Sequence, residues 1–273
     1  MPVIISDSTC DLTMEEAEGL GVKIIPIKLF FGEEEFIDKI TITDSDFYDR
    51  LASENVIPTT TLLNPNDFLK EFEKCKNDDI VVLTLSSKLS GSYQSAVMAK
   101  EMSGRDNIYV IDSRSVSIGF GLLVTEAARL NNAGASAAEI AEKITALVGK
   151  LKVFAVVDTL KYLVKGGRLG SVSGYVGTLL DIKPIIGVTD GEVKLISKAR
   201  GYNATLEKLG EIVAQNGPID TGKPFCFGHG CSEKNINKLK DYFGFNAPTY
   251  IVGSVVGVHA GPGAAAIAYF EKD

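Results

Sequence analysis

The pattern of apolar and polar positions along this 273-residue chain alternates between short apolar runs and stretches of helical period. Val3 to Ser6 and Val22 to Ile27 read as strands, with a helix between them from Leu12 to Gly19. Thr13 is the predicted N-cap of that helix, and Glu16, three residues on, completes a capping box. Phe30 to Ile40 carries a glycine turn and reads as a small β excursion. Thr43 or Ser45 caps a helix to about Leu51, and Asn64-Pro65 opens another to about Cys75. Asp79 to Leu85 is a strand, and its apolar run Val81 to Leu85 is continuous, as in a parallel strand covered on both faces. Ser92 to Lys100 returns to helical spacing, Asn107 to Ile111 is a strand, and helices follow over Ile118 to Asn131 and Ala137 to Val148. Val153 to Val157 closes this series as a further strand.

The strands of this half end in small, hydroxyl-rich loops: SDST after the first, Ser86 to Gly91 after the run at 81–85, and DSRS after Ile111. In a doubly wound sheet such loops lie outside the carboxyl ends of the strands and converge on one edge, where ligands bind. Ser86 to Gly91 combines three serines, a glycine and a helix N-terminus with unpaired N–H groups, which suits an anion. An ordinary βα loop with a serine cap has the same composition.

Near Asp158 the pattern changes. A short helix, a Gly-Gly-Arg turn and a small-residue helix lead to a strand begun by Lys183-Pro184. Asp190-Gly191 predicts a tight hairpin between Ile185 to Val188 and Val193 to Ser197. A helix over Asn203 to Gln215, a strand Phe225 to Gly228, a helix Ser232 to Phe243 and a strand Thr249 to Val252 follow, and a glycine-rich turn runs into a last apolar strand. The expectation is an α/β protein: a Rossmann-like parallel-sheet domain over 1–158, then a second, smaller α/β domain with a mixed sheet over 159–273.

Composition narrows the function classes. Hydrophobic residues make up 45% of the chain and charged residues 23%, an ordinary globular balance. A formal net charge of −7 disfavours nucleic acid and leaves no polybasic membrane patch. No apolar run reaches the ~18 residues of a membrane span, and MPVIISDSTCD begins a strand at once rather than a signal peptide. A cytoplasmic protein with no membrane insertion is the expectation. Cys226, His229 and Cys231 lack a fourth ligand and zinc-knuckle spacing, so these cysteines read as structural. The sequence contains no P-loop, no Gly-x-Gly-x-x-Gly fingerprint and no Gly-x-Ser-x-Gly elbow.

Four stretches could carry chemistry. Pro58 to Thr61 sets three consecutive hydroxyls on a loop, where they also suit bonds to their own backbone. The serine loop at 86–92 is the second. In the third, KGGR, two glycines precede Arg168, a geometry that presents a guanidinium either to a carboxylate or phosphate or simply to solvent. The fourth is His259, flanked by glycines in VHAGPGA and read as lying on a loop; His229 reads as structural.

Taken together, SDSTCDL at the start, PTTT at 58–61, LSSKLSGSYQSA at 85–96, IDS at 111–113, LKYLVKGGRLG at 160–170, IKPI at 182–185 and GVHAGPGA at 257–264 resemble the DegV family of bacterial lipid-binding proteins, in order and over essentially the whole chain. The resemblance implies a carrier, not itself an enzyme, that encloses one long-chain fatty acid of the palmitate, stearate or oleate class between two α/β domains. It further implies that the carboxylate is presented to a separate fatty acid kinase, which makes an acyl phosphate for phospholipid precursor supply. It implies no cofactor beyond the bound acid. By the family's motifs, Thr60 and Ser90 hold the carboxylate, and Arg168 and His259 stand near it. Where the family commonly reads Thr-Ser-Gln-Pro this chain has Thr60-Thr61-Leu62-Leu63, which leaves open whether Thr60 or Thr61 is the nearer donor.

The residues fit such a ligand on their own terms. A buried carboxylate needs hydrogen bonds or a counter-charge, and two hydroxyls with one nearby cation provide both. At ~0.8 kcal/mol per buried CH₂, about fifteen methylenes gain roughly 12 kcal/mol. Association costs of ~4–15 kcal/mol oppose this, so an enclosed tunnel is required rather than a groove. Ser171 to Leu180, small and apolar, is expected to line that tunnel or simply to pack as a helix. A second class of function stays open: a small-molecule kinase-related or hydrolytic enzyme using the same hydroxyl-rich loops with His259.

Overall fold

The computed structural model describes residues 1–54, 56–170 and 181–272. The chain opens with β1 (Val3–Asp7), a single 3-10 turn (Ser8–Cys10), α1 (Met14–Gly19) and β2 (Val22–Ile25). The β excursion is a hairpin, β3 (Lys28–Phe31) and β4 (Glu34–Ile37). After α2 (Asp44–Ser53) the two-residue strand β5 (Thr59–Thr60) returns to pair with β3. Then come α3 (Pro65–Lys74), β6 (Ile80–Thr84), α4 (Ser92–Ser103), β7 (Ile108–Asp112), α5 (Ser117–Asn132) and α6 (Ala137–Val148). The rest comprises β8 (Leu151–Val156), α7 (Lys161–Lys165), β9 (Ile182–Thr189), β10 (Glu192–Arg200), α8 (Tyr202–Gln215), β11 (Cys226–His229), α9 (Glu233–Phe243), β12 (Thr249–Ile251), α10 (Ser254–Ala260) and β13 (Ala265–Phe270).

Strands β2, β1, β6 and β7 form a parallel sheet in that order. Its middle explains the continuous apolar run. Val81 and Leu83 of β6 pack among side chains of α5 and α6, while Ile80 and Val82 pack among those of α3 and α4, and all four are fully buried. Local signals behave as the sequence predicts. Thr13 closes its capping box with Glu16, Thr43 caps α2, and Asn64 caps α3 with Pro65 in the first turn. Asp190 and Gly191 both take positive φ, 54° and 82°, as the two-residue turn between β9 and β10 requires.

The second sheet is mixed, six strands in the order β10-β9-β8-β13-β11-β12, with β11 and β12 parallel and the other pairs antiparallel. Here the strand expected to close the first βαβ series is placed differently. As β8 it pairs with β9 and β13, inside the second sheet. An apolar run buried on both faces reads the same in a parallel or an antiparallel ladder, and its partners are remote in sequence. Helix α5 lies between the sheets and is apolar nearly all round, as such a helix must be. Its glycines permit the approach. A Cβ on Gly119 would sit 2.2 Å from Cγ2 of Val153 in β8, and one on Gly121 would sit 2.4 Å from the Cys10 carbonyl oxygen. The small-residue helix expected over Ser171 to Leu180 lies outside the described residues.

Candidate functional site

Between the two sheets lies a cavity of about 410 Å³, within the size range of small-molecule sites. Most of its wall is aliphatic. Val153, Ala155 and Val157 alternate along one face of β8 and its continuation, opposite Leu85 and Leu89 from the serine loop and Val255 and Val256 from α10. Polar side chains among the described lining residues are Thr9, Thr60, Thr61, Ser90, Ser117, Arg168 and His259. All five residues singled out in the sequence, Thr60, Thr61, Ser90, Arg168 and His259, therefore face one space.

The threonines are better ordered than a loop. Thr60 is held opposite Leu29 in the β3–β5 ladder, and the Thr61 N–H donates to the Lys28 carbonyl at 3.0 Å. The following backbone is tied to the serine loop, since the Leu63 N–H donates to Ser92 Oγ at 3.2 Å. Ser92 Oγ in turn lies 3.0 Å from Ser90 Oγ, and a Cβ on Gly91 would come within 3.1 Å of Leu62. The N-cap of α4 is Gly91, without a side-chain cap. Ser92 thus joins the two segments rather than forming a conventional cap, and it is the joint that spacing alone did not reveal.

His259 sits in the last turn of α10, not on a loop. Gly257 is accommodated inside that helix because Phe47 and Tyr48 pack against it, with a Cβ there 2.6 Å from the Phe47 ring. Gly261, at φ 74°, ends the helix. Nε2 of His259 lies 3.2 Å from Thr60 Oγ1, whereas Nδ1 is buried with no hydrogen-bond partner among the described residues. Gly166 makes room for it: a Cβ there would lie 2.2 Å from Nδ1. Burial, reinforced by the Arg168 cation, pulls the His259 pKa down to about 4, so the ring is neutral near pH 7. Arg168 reaches over the serine loop, donating from Nε to the Leu89 carbonyl at 3.2 Å and from Nη1 to the Gly166 carbonyl at 2.6 Å. One end of the cavity therefore presents hydroxyls, a neutral imidazole and a guanidinium, and most of the rest, Thr9 and Ser117 apart, is hydrocarbon. That arrangement has the chemistry to suit a carboxylate bearing an apolar tail.

Thr9 and Ser117, which also line the cavity, belong to a buried acidic network. Asp7, fully buried, accepts from the Thr9 hydroxyl and from the Leu85 N–H at 2.8 Å, and burial raises its pKa to about 6. Ser117 Oγ donates to Asp11 at 2.5 Å, and the other Asp11 oxygen accepts from Gly253 N–H at 3.0 Å, at the start of α10. Asp44 accepts from the N–H and hydroxyl of Ser254 at 2.9 and 3.0 Å. Burial pushes Asp11 up to about 7, against the pull of Lys39. Among the described residues neither oxygen of the wholly buried Asp38 has a partner within hydrogen-bond distance, and burial raises its pKa to about 6, against the pull of Lys39 and of the nearby Ser8 and Ser254 hydroxyls. Burial alone would lower the Lys39 pKa, but Asp44, Asp11 and Asp38 outweigh it and raise it. His229 stands apart in β11, its Nδ1 accepting from Ser232 N–H at 3.2 Å. Among the described residues no cluster of His, Cys, Asp or Glu is arranged to hold a metal ion, and no helix is long and apolar enough to cross a membrane.

The DegV family model (Uncharacterised protein, DegV family) matches residues 2–272. The chain belongs to the DegV family. A DegV domain-containing protein of Clostridium acetobutylicum is 35% identical, with 98% of each chain covered. The fold is also that of solved DegV structures. A fatty-acid-binding DegV family protein from Thermus thermophilus superposes with a TM-score of 0.88 at 27% identity, covering 98% of this chain and 99% of that one. A stearic acid-binding protein from Eubacterium ventriosum does so with a TM-score of 0.87 at 27% identity, covering 100% of this chain and 99% of the other.

Proposed function

We propose that this DegV-family chain encloses one long-chain fatty acid in the inter-sheet cavity and presents its carboxylate to a separate kinase for acyl-phosphate formation, within the cytoplasm. The observation that carries the reading is the division of the cavity: the Thr60 and Ser90 hydroxyls, imidazole and guanidinium at one end, and a mostly aliphatic wall elsewhere. The fatty acids bound by the Thermus thermophilus and Eubacterium ventriosum relatives support the same ligand class. The competing hydrolase reading draws less support. His259 stands beside the Thr60 hydroxyl as a base beside a nucleophile would, but among the described residues no carboxylate orients Nδ1, which has no hydrogen-bond partner there.

In this reading Thr60 and Ser90 donate to the carboxylate and Thr61, more exposed, flanks it. Each hydrogen bond to a charged group is worth ~1.5–3 kcal/mol, so Thr60→Ala with Ser90→Ala should weaken fatty-acid binding by two orders of magnitude or more while leaving the circular dichroism spectrum unchanged. Titration of delipidated protein with a fluorescent fatty acid measures this. Undiminished affinity in the double variant sinks the assignment. The carrier reading also requires that the purified chain form no acyl phosphate from fatty acid and ATP until a kinase is added.

A further inference from the structure

A second cavity of about 270 Å³ lies behind the first, and among the described residues the two share only Val153 and Val188 as lining. The β8–β9 ladder ends at Phe154 opposite Gly187, so Val153 and Val188 occupy the next step, side by side on neighbouring strands. Val153 is locked there, its Cγ2 seated on the bare backbone of Gly119 in α5. The polar groups of the first cavity belong to other elements, and β8 runs from Val157 back to Val153, four residues or roughly 13 Å. The two valines thus form a thin wall closing the first cavity at one limit of its β8 face.

Beyond the wall the surroundings change. Val148, Leu151, Phe154 and Ile196 line it together with the polar side chains of Arg114, Ser115, Lys152, Thr189, Asp190 and Asn216. Both cations are already paired, Arg114 with Asp190 at 3.1 Å and Lys152 with Glu271 at 3.1 Å, so among the described residues neither is a free charge that demands an anion.

We propose that Val153 and Val188 set the maximum acyl-chain length this protein accepts, with the second cavity as the room that shorter side chains would open to a longer tail. The inference rests on the fatty-acid reading above. The test uses the delipidated full chain, an equimolar mixture of saturated acids of sixteen to twenty-two carbons, and native mass spectrometry of what is bound. Each methylene newly accommodated is worth about fourfold in relative occupancy. Val153→Ala and Val188→Ala should therefore raise the ratio of twenty- to sixteen-carbon acid by at least tenfold. Val188→Phe, at a half-buried position, should lower it. Unaltered ratios in both alanine variants overturn the proposal, as does loss of all lipid from them, which would make the valines part of the grip rather than a stop. Wild-type protein that takes up none of the acids overturns the fatty-acid reading itself, a distinct result.

Discussion

His259 and Asp38 are both buried groups short of partners, and pH acts on them in opposite senses. The folded-state pKa of His259 is depressed, so its contribution to stability is lost as pH falls from its ordinary 6.5 toward about 4. That of Asp38 is raised from 3.8 to about 6, so the folded state is disfavoured as pH rises through that window. Asp38→Asn removes this charge while Asp11 and Asp44 still face Lys39. It should raise stability by about 1–3 kcal/mol at pH 8 and by much less at pH 4. Thermal unfolding at the two pH values checks this, and an equal change at both would remove the charge from the explanation. Arg168 lowers the His259 pKa at a distance. Arg168→Ala should therefore raise it, by less than the full depression because burial remains the larger cause; an NMR titration of the ring reads the change. On the carrier reading, Arg168→Ala and His259→Ala still copurify with lipid, because the tail dominates affinity, but lose acyl-phosphate production with the kinase. A variant that arrives empty, or one that turns over normally, contradicts that division of labour.

Elements pack here through glycines whose role only the neighbours reveal. A Cβ on Gly121 meets the backbone carbonyl of Cys10, which cannot step aside. Gly121→Ala should destabilise the protein by ~1–3 kcal/mol, measured by chemical denaturation. Gly166→Ala should instead act on the site, since its Cβ would strike Nδ1 of His259; the expected result is weaker ligand binding with near-normal stability. The sequence announces features that are local. Thr13 with Glu16, Asn64 with Pro65, and Asp190-Gly191 each satisfy backbone groups within a few residues, so their spacing suffices. It does not announce that β8 joins the second sheet, because strand pairing depends on partners more than a hundred residues away in the case of β13. Nor does it announce α10, whose glycines read as a turn until Phe47 and Tyr48 are seen to fill the space beside Gly257. The five candidate site residues were legible from hydroxyl runs, a glycine-flanked arginine and histidine, and the family's motifs. Ser92 and Val153 were not, because a joint and a wall carry no distinctive spacing.

At the scale of the whole molecule, α5 lies between the four-stranded and the six-stranded sheet, beside the cavity, and the three-stranded β4-β3-β5 sheet carries Thr60 to its edge. Side chains of α5 pack among Ile4, Val81 and Leu83 of the first sheet, while Gly119 lies against β8 and Ile118 against Gly228 of β11 in the second. The halves are thus joined by protein as well as by any ligand, and unfolding should remain a single transition whether the cavity is filled or empty. Filling it should still move that transition. A ligand that binds only the folded state stabilises by RT ln(1 + [L]/Kd), about 2.7 kcal/mol at a hundredfold excess over Kd. For a chain of this size that corresponds to roughly 5–10 °C in Tm. Delipidated protein should melt lower by that margin and recover it on reloading with a long-chain fatty acid. The source of the gain can be divided. A hydrocarbon of equal length keeps the burial of methylenes but offers nothing to Thr60, Ser90 or Arg168, so it should restore only part of the shift. The fatty acid should lose the difference in the Thr60→Ala, Ser90→Ala double variant. Scanning calorimetry on the four combinations gives the answer. Equal shifts from hydrocarbon and acid in the wild-type protein would mean that the polar end of the cavity does not hold the carboxylate. Two separated transitions on delipidation would mean that α5 does not join the sheets.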